Sequence, residues 1–242
     1  MTRLPFRLVA VATRFLRHTH LACLTLLLAV MTTGCFDIQE DITLRADGSG
    51  TYVTVTDMTQ MMALISSMGQ DSTGDGTSST ATSLDSTFRE VVKVLSGVPG
   101  LHNVAYQAEG YVYTLSYDFD NVDALNEGNA RNNTMAGQTP GMNPSASYTW
   151  KSGELSKTSP PVADLLGEMG DDDEMEQAMT MIKMFMADAH FTSVFHLPGK
   201  VKKTSNKEAQ LSDGNTTVTL KTNFVSFLEG KSSPALTIKY KK

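Results

Sequence analysis

The sequence predicts an α+β domain: a mostly antiparallel sheet with about three amphipathic helices packed on one face. Three observations carry this reading. Short runs alternate apolar and polar residues, as half-buried strands do. Between them lie stretches with apolar residues at helical spacing. Strands and helices intermix without regular strand–helix–strand units, which argues against a parallel sheet.

The chain opens on a leader. Arg3, Arg7, Arg14 and Arg17, with no acidic residue among them, precede an apolar run from Leu21 to Met31 and the small residues Thr32-Thr33-Gly34. That is the pattern of a secretory signal, and the run is too short for a membrane span, which takes about 20 apolar residues. Cys35 follows Gly34 directly, so the segment resembles a bacterial lipoprotein signal, with Thr32 where leucine is usual. The resemblance implies that residues 1–34 are removed and that Cys35 is lipidated and becomes the first mature residue. Residues 35–242 then form a single α+β envelope domain, with flexible loops near 69–83 and 128–144.

The first strand runs from Phe36 to Ala46. Phe36, Ile38, Ile42, Leu44 and Ala46 share one parity, interrupted only by Glu40. Asp47-Gly48-Ser49-Gly50 supplies a tight hairpin, and Thr51–Thr56 returns. Because the strand begins one residue after Cys35, the domain is expected to sit against the membrane. Asp57-x-x-Gln60 has capping-box spacing and opens a helix with Met58, Met61, Met62 and Ile65 on its apolar stripe. A Ser/Thr/Gly/Asp tract, Gly69–Ser83, reads as loop. Leu84, Phe88, Val91, Val92 and Leu95 mark a second helix, stopped by Gly97 and Pro99.

Val104, Tyr106 and Ala108 share a face of one strand. Tyr111, Tyr113, Leu115, Tyr117 and Phe119 share a face of the next. Asn121 begins a short helix that decays into Asn/Gly/Pro-rich loop up to Pro144. Ala146, Tyr148 and Trp150 make another strand, turned at Lys151–Glu154. The longest helix is expected over Asp172–Ala189, with Met175, Ala178, Met179, Ile182, Phe185, Met186 and Ala189 on its stripe. Strands over His190–Leu197, Thr217–Phe224 and Leu236–Tyr240 close the chain.

Removing the leader's four arginines from the chain's 20 basic residues leaves 16 against 26 acidic ones, a net charge of −10. Such a chain is a poor partner for nucleic acid. The charge is uneven: residues 35–195 carry 7 basic and 23 acidic groups, residues 196–242 nine lysines and three acids. Cys35 is the sole mature cysteine, so no disulfide framework exists.

Candidate sites are few. Fourteen methionines and the pair His190 and His196 raise the thought of copper(I), but most of the helical methionines lie on the core stripe, where Met is an adaptable filler. No metal or cofactor is expected. No nucleophile elbow or phosphate loop occurs, so no catalytic residue is assigned. Tyr111, Tyr113 and Tyr117 could line a ligand pocket. Lys200, Lys202, Lys203, Lys239, Lys241 and Lys242 could face anionic headgroups beside the anchor.

The Cys35 start, Asp47-Gly48-Ser49-Gly50-Thr51-Tyr52 at the hairpin, Asp57-Met58-Thr59 at the helix, and Leu197-Pro198-Gly199-Lys200-Val201 ahead of the Thr217–Leu220 strand together resemble bacterial LppM-type lipoproteins. These are membrane-anchored α+β domains. The resemblance implies a cell-envelope location and binding of a lipid or glycolipid, and it carries over no catalytic residue. Phe36 after the cysteine favours the outer membrane by analogy with enteric sorting. The expected function is therefore that of a lipid-anchored envelope lipoprotein that binds a lipid, a glycolipid or an envelope partner, facing the periplasm or the surface. The alternative is a structural or adhesive surface lipoprotein without a small-molecule ligand.

Overall fold

The computed structural model describes residues 37–68, 76–136, 146–159, 180, 183 and 186–241. Contacts divide the chain between Gly34 and Cys35, and the described residues all belong to the unit Cys35–Lys242. In chain order its strands are β1 (Asp37–Leu44), β2 (Gly50–Asp57), β3 (Leu101–Glu109), β4 (Val112–Phe119), β5 (Ser147–Lys151), β6 (Glu154–Thr158), β7 (His190–His196), β8 (Val201–Thr204), β9 (Gln210–Ser212), β10 (Thr217–Asn223) and β11 (Leu236–Tyr240). The helices are α1 (Thr59–Met68), α2 (Gly76–Leu95), α3 (Val122–Ala136) and the short α4 (Phe224–Leu228).

The chain is thus mixed α/β, with strands in two sheets rather than one. Seven strands form the larger sheet in the order β3-β4-β2-β1-β7-β10-β9, and four form the smaller in the order β5-β6-β11-β8. Pairings are antiparallel except β1 with β7, which run parallel. Four helices are described instead of about three.

Alternation decides which face of the larger sheet is covered. Ile38, Glu40, Ile42 and Leu44 of β1 are buried, as are Tyr113, Leu115, Tyr117 and Phe119 of β4 and Phe191, Ser193 and Phe195 of β7. The opposite parity stays half-buried or exposed. One part of the core gathers Ile42, Leu44, Leu95, Leu115, Leu125 and Tyr148; the other packs Ile38, Met58, Met62, Phe191, Phe224 and Phe227. Each fully buried side chain of this size contributes about 1.5–3 kcal/mol.

Turn chemistry matches the β1–β2 reading. Gly48 has φ 89°, and Asp47 Oδ1 accepts hydrogen bonds from Ser49 N (3.0 Å) and Ser49 Oγ (2.7 Å), an Asx turn. Asp57 Oδ1 accepts from Thr59 N at 2.9 Å and so caps α1.

Two loop expectations are corrected. Residues 76–83 are the first turns of α2, and 128–136 belong to α3. Apolar spacing marks a helix only where it is buried, so a polar extension leaves no periodic trace. In α3 the residues that read as loop-formers do packing work. A Cβ on Gly128 would lie 2.9 Å from Leu101 Cδ1, so glycine lets the helix approach the sheet. Asn129 is buried, and its Oδ1 accepts a hydrogen bond from the Tyr117 hydroxyl at 3.0 Å. Most of the stretch expected as the longest helix, with Met175, Met179, Ile182 and Phe185, lies outside the described residues. Met186 and Ala189, the last two residues of that expected stripe, are not helical; Ala189 is buried in the core part that holds Met58 and Phe224, and Met186 packs against it.

Candidate functional site

Glu40 is where the apolar parity of β1 breaks, and its side chain points into the space between the two sheets, 8% exposed. A carboxylate there must be paired and hydrogen-bonded or it would unfold the site. Three strands supply the partners. Lys157 of β6 forms an ion pair with Glu40 Oε1. Ser193 stands directly beside Glu40 in the parallel β1–β7 register and donates to the same oxygen at 2.6 Å. Tyr148 of β5 donates its hydroxyl to Oε2 at 2.7 Å. Lys157 Nζ also donates to Ser193 Oγ at 2.8 Å.

Burial pushes the Glu40 carboxyl up, but the Lys157 charge and the hydrogen bonds from Lys157, Ser193 and Tyr148 outweigh it and hold the group below its ordinary value. Burial, and after it the negative charge of Glu40, drives Tyr52, Tyr117 and Tyr148 the other way, well above an ordinary phenol. At neutral pH the cluster is an ionised carboxylate ringed by neutral phenols. Tyr52 and Tyr117 stack with ring centroids 5.0 Å apart.

A small cavity of about 20 Å³ adjoins the cluster, lined by Ile38, Tyr52, Lys157, Phe191, Ser193 and Pro234 among others. That holds about one water and is far too small for a sugar ring or an acyl chain. Ser193 beside Lys157 has the residue types of a Ser–Lys nucleophile, which needs a neutral amine to take the serine proton. Here the ammonium lies against a carboxylate, and the serine gives its own hydrogen bond to that carboxylate. The arrangement ties the two sheets together.

The tyrosine row is divided by the packing. Tyr113 (3% exposed) stacks on Phe88 at 4.9 Å, with Phe88 in turn 5.1 Å from Tyr106. Tyr117 (2%) belongs to the other part of the core, and Tyr111 is half-buried at the edge of the Met58–Phe224 cluster. None of the three lines the cavity. It is Tyr52, stacked on Tyr117, that does.

The lysines are corrected more sharply. β7 runs parallel to β1, so the chain leaves it at His196, opposite Thr43, which is the end of β1 far from Cys35. Lys200, Lys202 and Lys203 come after that exit. Lys239 pairs with Lys203 in register, and Lys241 N donates to Lys200 O at 2.8 Å. Tyr240 accepts from Trp150 Nε1 at 2.8 Å, and the Trp150 ring lies against Gly48 of the hairpin. The group therefore stands at the hairpin end, separated from Asp37 by the length of β1, about 23 Å for eight residues. It lies at the opposite end of β1 from Asp37. Cys35 and Lys242 themselves lie outside the described residues.

Sequence reasoning passed over Lys157, Ser193 and Tyr148. Glu40 left a signal in its parity break, and Lys157 leaves a similar one, since Leu155 and Lys157 share the inward face of β6. Nothing local pairs the two.

Together the two sheets and the ion pair between them define an α/β domain locked by a buried charge cluster. No protein-family model matches the chain, and neither a curated protein nor a solved structure is found that matches it.

Proposed function

We propose that this chain is a lipid-anchored lipoprotein of the cell envelope, outer membrane by preference, whose domain acts by binding and not by catalysis. The observation that carries the reading is the junction at Cys35. A basic, then apolar leader ends at Gly34, the division of the chain into two units falls between Gly34 and Cys35, and β1 begins at Asp37. A lipid on Cys35 would therefore hold the domain directly against the bilayer.

The cavity beside Glu40 has room for about one water, which favours a partner met at the surface over a ligand enclosed at that place. The partner is thus an envelope component met at the outside of the domain. A lipid or glycolipid, as the likeness to LppM-type lipoproteins implies, would enter that cavity only if the sheets part and the Glu40–Lys157 pair opens. A purely adhesive role is less well supported: Leu211, 45% exposed, is the one large apolar side chain that stands out among the described residues.

The test is fractionation of cells expressing the chain and its Cys35→Ser variant. The wild type should pellet with membranes and enter the detergent phase. The variant should be soluble while keeping the same far-ultraviolet circular dichroism. A variant that still enters the detergent phase would overturn the anchor.

A further inference from the structure

We infer that the outward face of the four-stranded sheet docks an anionic polysaccharide, held by a row of lysines and an adjoining ladder of hydroxyls. Strand register sets the row: Lys151 faces Glu154, Glu154 faces Lys239, and Lys239 faces Lys203. Leu155, Ile238 and Tyr240 next to them are buried, so these four project away from the core.

One carboxylate serves three ammonium groups. Lys239 Nζ lies 3.0 Å from Glu154 Oε2, while Lys151 and Lys203 have no ion-pair partner among the described residues. Like charges directly opposite each other on paired strands repel and weaken a sheet. An anion laid along the row would relieve that repulsion. Exposed Lys200, Lys202 and Lys241 extend the positive surface, on a chain whose mature net charge is −10.

Beside the lysines the same face is lined with hydroxyls. Ser156 and Thr237 approach to 3.0 Å, Ser147 and Thr158 to 2.7 Å, and Thr149 is exposed between them. Each hydroxyl can donate and accept. Four strands span about 14 Å at about 4.8 Å per step, enough to meet several residues of a polymer instead of a single anion. A polymer that alternates anionic groups with hydroxyls matches both rows.

Other occupants fit less well. None of the outward side chains of β5, β6 and β11 is apolar, so the face lacks the buried aromatic or aliphatic anchors of a protein interface. Resting here on the proposed anchor at Cys35, the row lies about 23 Å along β1 from the bilayer, too far for headgroups screened over about 8 Å.

The experiment titrates the full chain, in a neutral detergent, with polygalacturonate at low and high salt. Neutral dextran, polyglutamate and vesicles of phosphatidylcholine with phosphatidylglycerol are run alongside. Wild type should bind polygalacturonate more tightly than the other three, and more weakly at high salt. Lys151→Gln/Lys203→Gln/Lys239→Gln should lose at least tenfold, with Lys93→Gln unchanged. Thr149→Val/Thr158→Val should weaken polygalacturonate binding and leave polyglutamate binding as it was. If the triple variant melts below wild type, Lys203→Gln alone is read, with a loss of at least twofold expected. No binding at low salt, lysine variants that bind like wild type, or tighter binding to polyglutamate or vesicles would each overturn the inference. The readout is independent of the lipid on Cys35, so its failure leaves the anchor standing, and the fractionation result leaves this face untouched.

Discussion

Glu40 of β1 and Lys157 of β6, 117 residues apart in sequence, form an ion pair inside the interface between the two sheets. Among the described residues neither has another ion-pair partner. Removing one partner strands a buried charge, which costs about 3–5 kcal/mol, whereas replacing both with apolar groups of similar volume is far milder. Glu40→Leu and Lys157→Met should each lower urea stability by about that amount. The double variant should lose much less than their sum, and simple additivity would mean that the pair is not coupled.

The same pair sets an acid limit. The Glu40 carboxyl sits lower in the folded chain than its ordinary value of 4.5, so the unfolded chain takes up the proton first. Its contribution is therefore complete above about pH 4.5 and drains away as pH falls through the lower, folded value. Melting temperature should be flat from about pH 5 to 7 and drop below about 4.5. Glu40→Gln should flatten that drop without abolishing it, because exposed Glu229 is held down to about 2 by hydrogen bonds from Lys231 and Lys183 and their charges.

Asn126 closes the free edge of β5. Its Nδ2 donates to Tyr148 O at 2.8 Å, and its Oδ1 accepts from Tyr148 N at 2.7 Å, which is how a strand edge is kept from pairing with other chains. Asn126→Ala leaves both backbone groups without that partner and should cost about 1–3 kcal/mol. Asn126→Asp keeps the acceptor and should fall between, as read by chemical denaturation.

Gly50 opens β2, and a Cβ there would stand 2.2 Å from the Thr43 carbonyl oxygen and 2.3 Å from the Phe119 ring. Gly110, at φ 62°, has nothing within 4 Å of the same position. Gly50→Ala should therefore lower the melting temperature clearly, by about 1–3 kcal/mol or more of stability. Gly110→Ala should cost only the strain of a left-handed residue, about 1 kcal/mol.

The elements the sequence made legible are those that bury a periodic face. β1 and β2, α1 with Met58 and Met62, the buried end of α2 with Val91 and Leu95, β4, and the strands at His190, Thr217 and Leu236 all follow apolar spacing. What stayed hidden has a common cause. The polar start of α2 and the Gly128-Asn129 segment of α3 bury little hydrocarbon or bury it through neighbours. β6, β8 and β9 are five residues or fewer and carry too few apolar side chains to set a period. Division into two sheets depends on strand pairings distant in sequence, such as β6 with β11, and Glu40 meets Lys157 across 117 residues. No local pattern encodes those. The lysines were read correctly as solvent-facing in β11 but assigned to the wrong end, because parallel pairing of β7 with β1 reverses where the chain next emerges.

The most direct measurement of the central claim is mass spectrometry of the mature N-terminal peptide from membranes of expressing cells. The account predicts that the chain begins at Cys35 and that this residue carries a thioether-linked diacylglyceryl group. A mature chain that begins elsewhere, or a Cys35 bearing a free thiol, would contradict it.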